Sequence, residues 1–118
     1  MKTTKFLIVI MFAGLFAISM NSCKKCRNED PRARVINNGT KDASVQIKTS
    51  GGNTENINNV SPGTTSDYRN YAPGLTTFTV SVEQSDFVYQ VEMSECFEYD
   101  IAIDANNVIT STPTDRND

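Results

Sequence analysis

Beyond residue 42 the chain alternates apolar and polar positions with a period of two, the signature of strands whose successive side chains point to opposite faces. Ala43, Val45 and Ile47 share one face of their segment; Phe78, Val80 and Val82 share another, and Phe87, Tyr89, Val91 and Met93 repeat the pattern. In the clearest run, Phe97, Tyr99, Ile101 and Ile103 are opposed by Glu98, Asp100, Ala102 and Asp104. Such a segment has one face for a core and one for water, as in antiparallel sheets. Weaker alternation marks strands at 33–37, 55–60, 65–71 and 108–112, about eight in all. Turn signals fall between them at Asn38-Gly39, Gly51-Gly52, Pro62-Gly63, Pro73-Gly74, Ser85-Asp86, Ser94-Glu95 and Asn106-Asn107. Asn-Gly is the favoured pair of a tight type I′ hairpin. The gaps, about 9 to 13 residues, leave no room for a helix of ordinary length. The pattern predicts an all-β fold, an antiparallel two-layer β-sandwich of immunoglobulin-like or transthyretin-like arrangement, over residues 33–112. A flexible basic tether (23–32) precedes it and a disordered polar tail (113–118) follows it.

Residues 43–82 carry a resemblance. Ser-Val-Gln-Ile, a Gly-Gly hairpin, the run Asn59-Val60-Ser61-Pro62-Gly63-Thr64-Thr65-Ser66-Asp67-Tyr68, then Pro73-Gly74 and Thr77-Phe78-Thr79-Val80 resemble a repeated β-sandwich family of bacterial envelope proteins with unassigned function. The shared positions are turn and strand chemistry, so the resemblance implies a fold and no activity.

The first residues break this pattern. Lys2 and Lys5 precede an apolar run from Phe6 to Met20, interrupted only by small residues, and then Asn21-Ser22-Cys23. Charged and hydrophobic regions in that order form a secretory signal, too short for a comfortable permanent span of about 20 apolar residues. Met20-Asn21-Ser22-Cys23 resembles a lipobox, and with Lys24-Lys25 behind it the junction resembles lipoproteins of Bacteroidetes-type bacteria. The resemblance implies that residues 1–22 are a helical signal removed on export. Cys23 then becomes the acylated first residue of a chain anchored in the outer membrane, with the periplasmic face or the cell surface left open.

Composition narrows the chemistry. The 118 residues hold three cysteines and no histidine. If Cys23 is acylated, Cys26 and Cys96 remain as an even pair in an oxidising compartment and are the candidate disulfide. Cys23 and Cys26 also spell C-x-x-C, but no βαβ unit surrounds them as a redox site needs, and a closed zinc site wants four Cys or His ligands. Without imidazole there is no Ser-His or Cys-His nucleophile pair, and the domain is too small to enclose opposed catalytic carboxylates. The expectation is a non-catalytic chain without a cofactor.

Charge is unevenly placed. From Cys23 to Arg34 five bases meet two acids, a net of +3; from Val35 onward four bases meet twelve acids, a net of −8. An acidic domain argues against nucleic acid, whose phosphates demand Lys and Arg. Between Glu83 and Asp104 seven acids stand without a base. Glu92, Glu98, Asp100 and Asp104 are the candidate ligands of a Ca²⁺ site, although alternate carboxylates along a strand are also what a solvated face looks like. Tyr68 and Tyr71 fall on opposite faces if 65–71 is a regular strand, so one should point outward as a stacking platform for a sugar. Two functions stay open: an envelope module meeting a protein or polymer partner, and a glycan-binding accessory lipoprotein.

Overall fold

The computed structural model describes residues 26–117. The signal segment 1–22, Cys23 and the rest of the leader before Cys26 lie outside the described residues. Eight strands follow in order: β1 (Arg32–Asn37), β2 (Ala43–Lys48), β3 (Thr54–Val60), β4 (Arg69–Asn70), β5 (Gly74–Val82), β6 (Ser85–Met93), β7 (Phe97–Ile103) and β8 (Ile109–Asp115). They form two four-stranded sheets, ordered β4-β1-β7-β8 and β3-β2-β5-β6. The molecule is all-β, a two-layer sandwich, and the alternation explains why. The apolar side of each strand meets the other sheet: Val35, Ile101 and Ile103 from one layer, Val45, Ile47, Phe78, Val80 and Met93 from the other, all buried. Burial of this kind stabilises by about 25 cal/mol per Å² of apolar surface removed from water.

One strand pair departs from the antiparallel expectation. β1 runs parallel to β7, in unbroken register from Arg32 opposite Glu98 to Asn37 opposite Ile103. Parallel neighbours need a long crossover, and here the chain from β2 to β6 supplies it, with β2, β3, β5 and β6 in the opposite sheet and the short β4 returning beside β1.

Two turns differ from their sequence reading. Asn38-Gly39 is not a hairpin, because β1 and β2 lie in different sheets and the chain crosses between layers there. Gly39 serves close approach instead: a Cβ at that position would stand 3.1 Å from the Asn37 Oδ1 and 3.2 Å from the Asp104 carbonyl oxygen. The β5–β6 hairpin turns at Glu83-Gln84, with φ values of 49° and 69°, rather than at Ser85-Asp86. Pro62-Gly63 does make its turn, with Gly63 at φ 76° and the Thr64 amide donating to the Ser61 carbonyl at 3.1 Å. Left-handed φ after proline is the type II geometry that favours glycine.

Both flanks are more ordered than composition suggested. β8 continues through Pro113 to Asp115, so the strand passes the expected boundary at 112. Proline is tolerated because β8 is an edge strand, whose outer amides have no ladder partner. The leader from Cys26 onward is docked, not free. Cys26 and Cys96 form a disulfide with Cα atoms 5.8 Å apart. The Cys96 amide donates to the Glu29 carbonyl at 2.9 Å and the Tyr71 amide to the Pro31 carbonyl at 2.9 Å. Arg116 reaches back with Nη1 3.2 Å from the Glu29 carboxylate and Nη2 2.8 Å from the Asp30 carbonyl.

The strand directions give the sandwich two distinct ends. The near end gathers the leader, the turns 49–53 and 94–96, the segment 71–73 and Arg116-Asn117. The far end gathers the connections 38–42, 61–64, 83–84 and 104–108.

Candidate functional site: an arginine, tyrosine and carboxylate cluster

Alternation along β1 buries Ala33, Val35 and Asn37 and turns Arg32 and Arg34 to the outer face. The same alternation on β7 puts Glu98 and Asp100 outward. Parallel register sets each base beside an acid. Arg32 lies 3.1 Å from Glu98, and Arg34 Nε lies 2.8 Å from Asp100 Oδ1 with Nη2 3.3 Å from Oδ2. Two parallel N–H···O contacts are the fork geometry that suits guanidinium and carboxylate.

Tyr68 completes the cluster. Its ring lies under both guanidiniums, 4.8 Å from Arg32 Cζ and 4.6 Å from Arg34 Cζ, and its hydroxyl donates to Asp100 Oδ1 at 2.8 Å. Cations over an aromatic face are attracted by its quadrupole. The segment before Tyr68 runs along β1 and ties to it. The Ser66 amide donates to the Val35 carbonyl at 2.9 Å, the Val35 amide donates to Ser66 Oγ at 2.9 Å, and Ile36 bridges to Thr65. Those ties run Thr65 and Ser66 along β1, while regular pairing is confined to β4, residues 69 and 70.

The electrostatics are self-contained. Arg34, with help from the Tyr68 hydroxyl, holds the Asp100 carboxyl below its ordinary 3.8 despite partial burial. The same bond raises the Arg34 guanidinium further above its already high ordinary value. Burial, then the bond to Asp100, pushes the Tyr68 phenol up to about 12. All three groups therefore keep one protonation state across the neutral range. The cluster clamps the 61–68 connection to the sheet.

The other candidates are dispersed. Glu92 is exposed on β6 in the opposite sheet. Asp104 folds back on its own turn, Oδ1 accepting from the Asn106 and Val108 amides at 2.8 and 2.9 Å. Glu98 and Asp100 are engaged by arginine. The four carboxylates proposed for Ca²⁺ are thus not brought together, and among the described residues no three Cys, Asp or Glu groups converge on a cation position. Neither tyrosine is an outward platform, because 65–71 is not a regular strand. The Tyr68 face is occupied by the arginines, and Tyr71 is buried, its hydroxyl without a partner among the described residues. Burial, and next the nearby Glu55 charge, push the Tyr71 phenol up to about 12. Tyr71 borders a polar hollow of about 390 Å³ with Thr49, Asn53, Thr54, Glu55 and Asn70.

Sequence reading missed how these residues meet, although a signal was present: Arg-x-Arg in β1 has the same two-residue spacing as Glu-x-Asp in β7. The chain matches no known protein-family model, and no curated protein is similar to it.

Proposed function

We propose that this chain is a lipoprotein of a bacterial cell envelope, held in the outer membrane through an acylated Cys23 and presenting a non-catalytic β-sandwich as a structural or binding module for a protein or polymer partner. The observation that carries this reading is the bond between Cys26 and Cys96. A disulfide belongs to an exported domain, and it leaves Cys23, at the end of a signal-like segment, as the one remaining thiol of the three. The arginine and tyrosine cluster supports a structural role, since its polar groups are spent on one another. Glycan binding takes second place, because neither tyrosine offers an open ring; it rests on the polar hollow beside Tyr71.

Mass spectrometry of the membrane fraction tests the reading. The expected N-terminal peptide begins at Cys23 and carries the acyl mass. Unprocessed Met1 in that fraction overturns it.

A further inference from the structure

Cys23 lies three residues before Cys26, a reach of at most about 11 Å even when fully extended. Cys26 itself is buried and bridged to Cys96. The ties of Glu29 and Asp30 to Cys96 and Arg116 fix the chain a second time before β1 begins. Were the leader loose, the first fixed residue would be Arg32, nine residues from Cys23, a reach of about 30 Å. The bridge therefore shortens the leash to about a third and attaches it to one end of the sandwich.

We propose that the near end, carrying Cys26, Arg27, Glu95 and Asn117, rests against the lipid surface, and that the far-end connections 38–42, 61–64, 83–84 and 104–108 are the part presented to a partner. The inference rests on acylation of Cys23. Charge points the same way. The far-end region exposes Asp42, Glu83, Asp86 and Asp104 against Lys41, and an anionic surface repels it. At the near end Arg27 and Arg116 stand against Glu29, Asp30, Glu95 and Asp115, and Lys24-Lys25, adjoining it in sequence, offset that surplus of acids, which nothing does at the far end. Basic residues beside a bilayer are attracted to anionic head groups, an effect that fades within a Debye length. The length of β7, seven residues or about 20 Å, separates the two ends and keeps the far one clear of the surface.

The chain contains no tryptophan, so one introduced indole is the sole reporter. The full chain is made in an acylating bacterial host and reconstituted into phosphatidylcholine vesicles with a nitroxide on the head group. Asn117→Trp places the indole at the near end and Ala105→Trp at the far end, both at exposed positions. Glu95→Trp repeats the near-end measurement should Asn117→Trp disturb its bond to Asp115. The expected result is near-end emission quenched severalfold more strongly than far-end emission. Equal quenching, or stronger quenching at Ala105→Trp, in protein that carries the acyl mass and floats with the vesicles overturns the orientation alone. Protein that lacks the acyl mass and stays off the vesicles overturns the anchoring reading, and the orientation falls with it.

Discussion

Arg34 and Asp100 stand in register across a parallel strand pair, 66 residues apart in sequence, with Nε 2.8 Å from Oδ1 and the Tyr68 hydroxyl closing on the same oxygen at 2.8 Å. The contact joins three chain segments, β1, β7 and the 61–68 connection, so its removal is felt beyond one strand. Asp100→Ala strips two donors of a shared acceptor and is expected to lower stability by about 1.5 kcal/mol, toward the low side for charged hydrogen bonds because the site is partly solvated. Glu92→Ala, at an exposed position on β6, is expected to stay within about 0.5 kcal/mol. Urea midpoints of the two variants check the contrast.

The pH profile follows from the same atoms. Asp100 titrates lower in the fold than its ordinary 3.8, so the unfolded chain takes up the proton first. Its stabilisation is complete above about pH 4 and is lost as pH falls through the lower folded value. The gap in urea midpoint between wild type and Asp100→Ala is expected to narrow below that pH. Tyr68 has the opposite sign. Its folded phenol, at about 12 against an ordinary 10.0, contributes stability below pH 10 that disappears as pH rises through 12. Phenolate absorbance should show one phenol fewer in the step near 12 for Tyr68→Phe.

Much of the fold was legible because alternation is a local signal: Phe97 to Ile103 declares its buried face residue by residue, and β7 obeys it. What alternation cannot encode is which strand lies beside which. Arg32 read as the end of a basic tether and Arg34 as one more base of the N-terminal stretch, and Glu98 and Asp100 as candidate cation ligands or a solvated face, because their mutual neutralisation depends on a pairing 66 residues long. Pro113 read as the start of a loose tail because proline is disfavoured in strands, a penalty that an edge position removes. The Cys26–Cys96 pair was accessible because it depended on counting thiols rather than on topology.

That disulfide spans a sequence separation of 70. Closing such a loop restricts the unfolded chain by about 4 kcal/mol in the chain-entropy model. Reduction of the folded domain is expected to lower its stability by an amount approaching that figure, read as the urea midpoint with and without reductant. Before reduction, Cys26 and Cys96 should resist alkylation by iodoacetamide even in the unfolded chain.

Asn37 is a polar residue at the centre of the layer crossing, 1% exposed. Its Nδ2 donates to the Lys41 and Val60 carbonyls, both at 2.8 Å, while Oδ1 accepts from the Gly39 amide at 2.9 Å. Asn37→Ala leaves the Val60 carbonyl unpaired in the interior and the Lys41 carbonyl and Gly39 amide unpaired at its edge, and a loss of about 2 kcal/mol is expected. Asn38→Ala, next door and exposed, should change stability by less than about 0.5 kcal/mol. Thermal midpoints of the pair separate a buried bonding role from general sensitivity of the crossing.

Glu83-Gln84 offers a gain rather than a loss. Both residues hold left-handed φ in the two-residue β5–β6 hairpin, and left-handed backbone disfavours residues with a Cβ by about 1–2 kcal/mol each. Asn and Gly adopt that geometry readily, which is why Asn-Gly dominates type I′ turns. The side chains of Glu83 and Gln84 are exposed, so replacing them removes little packing. The double substitution E83N/Q84G is expected to stabilise by about 1 kcal/mol, part of the relief being offset by the greater freedom of glycine in the unfolded chain. For a domain of this size that is a rise in Tm of about 4–8 °C. Placing Asn-Gly at Ser85-Asp86 instead puts glycine inside β6, opposite Ser81, and should destabilise; the two variants together locate the hairpin turn by calorimetry.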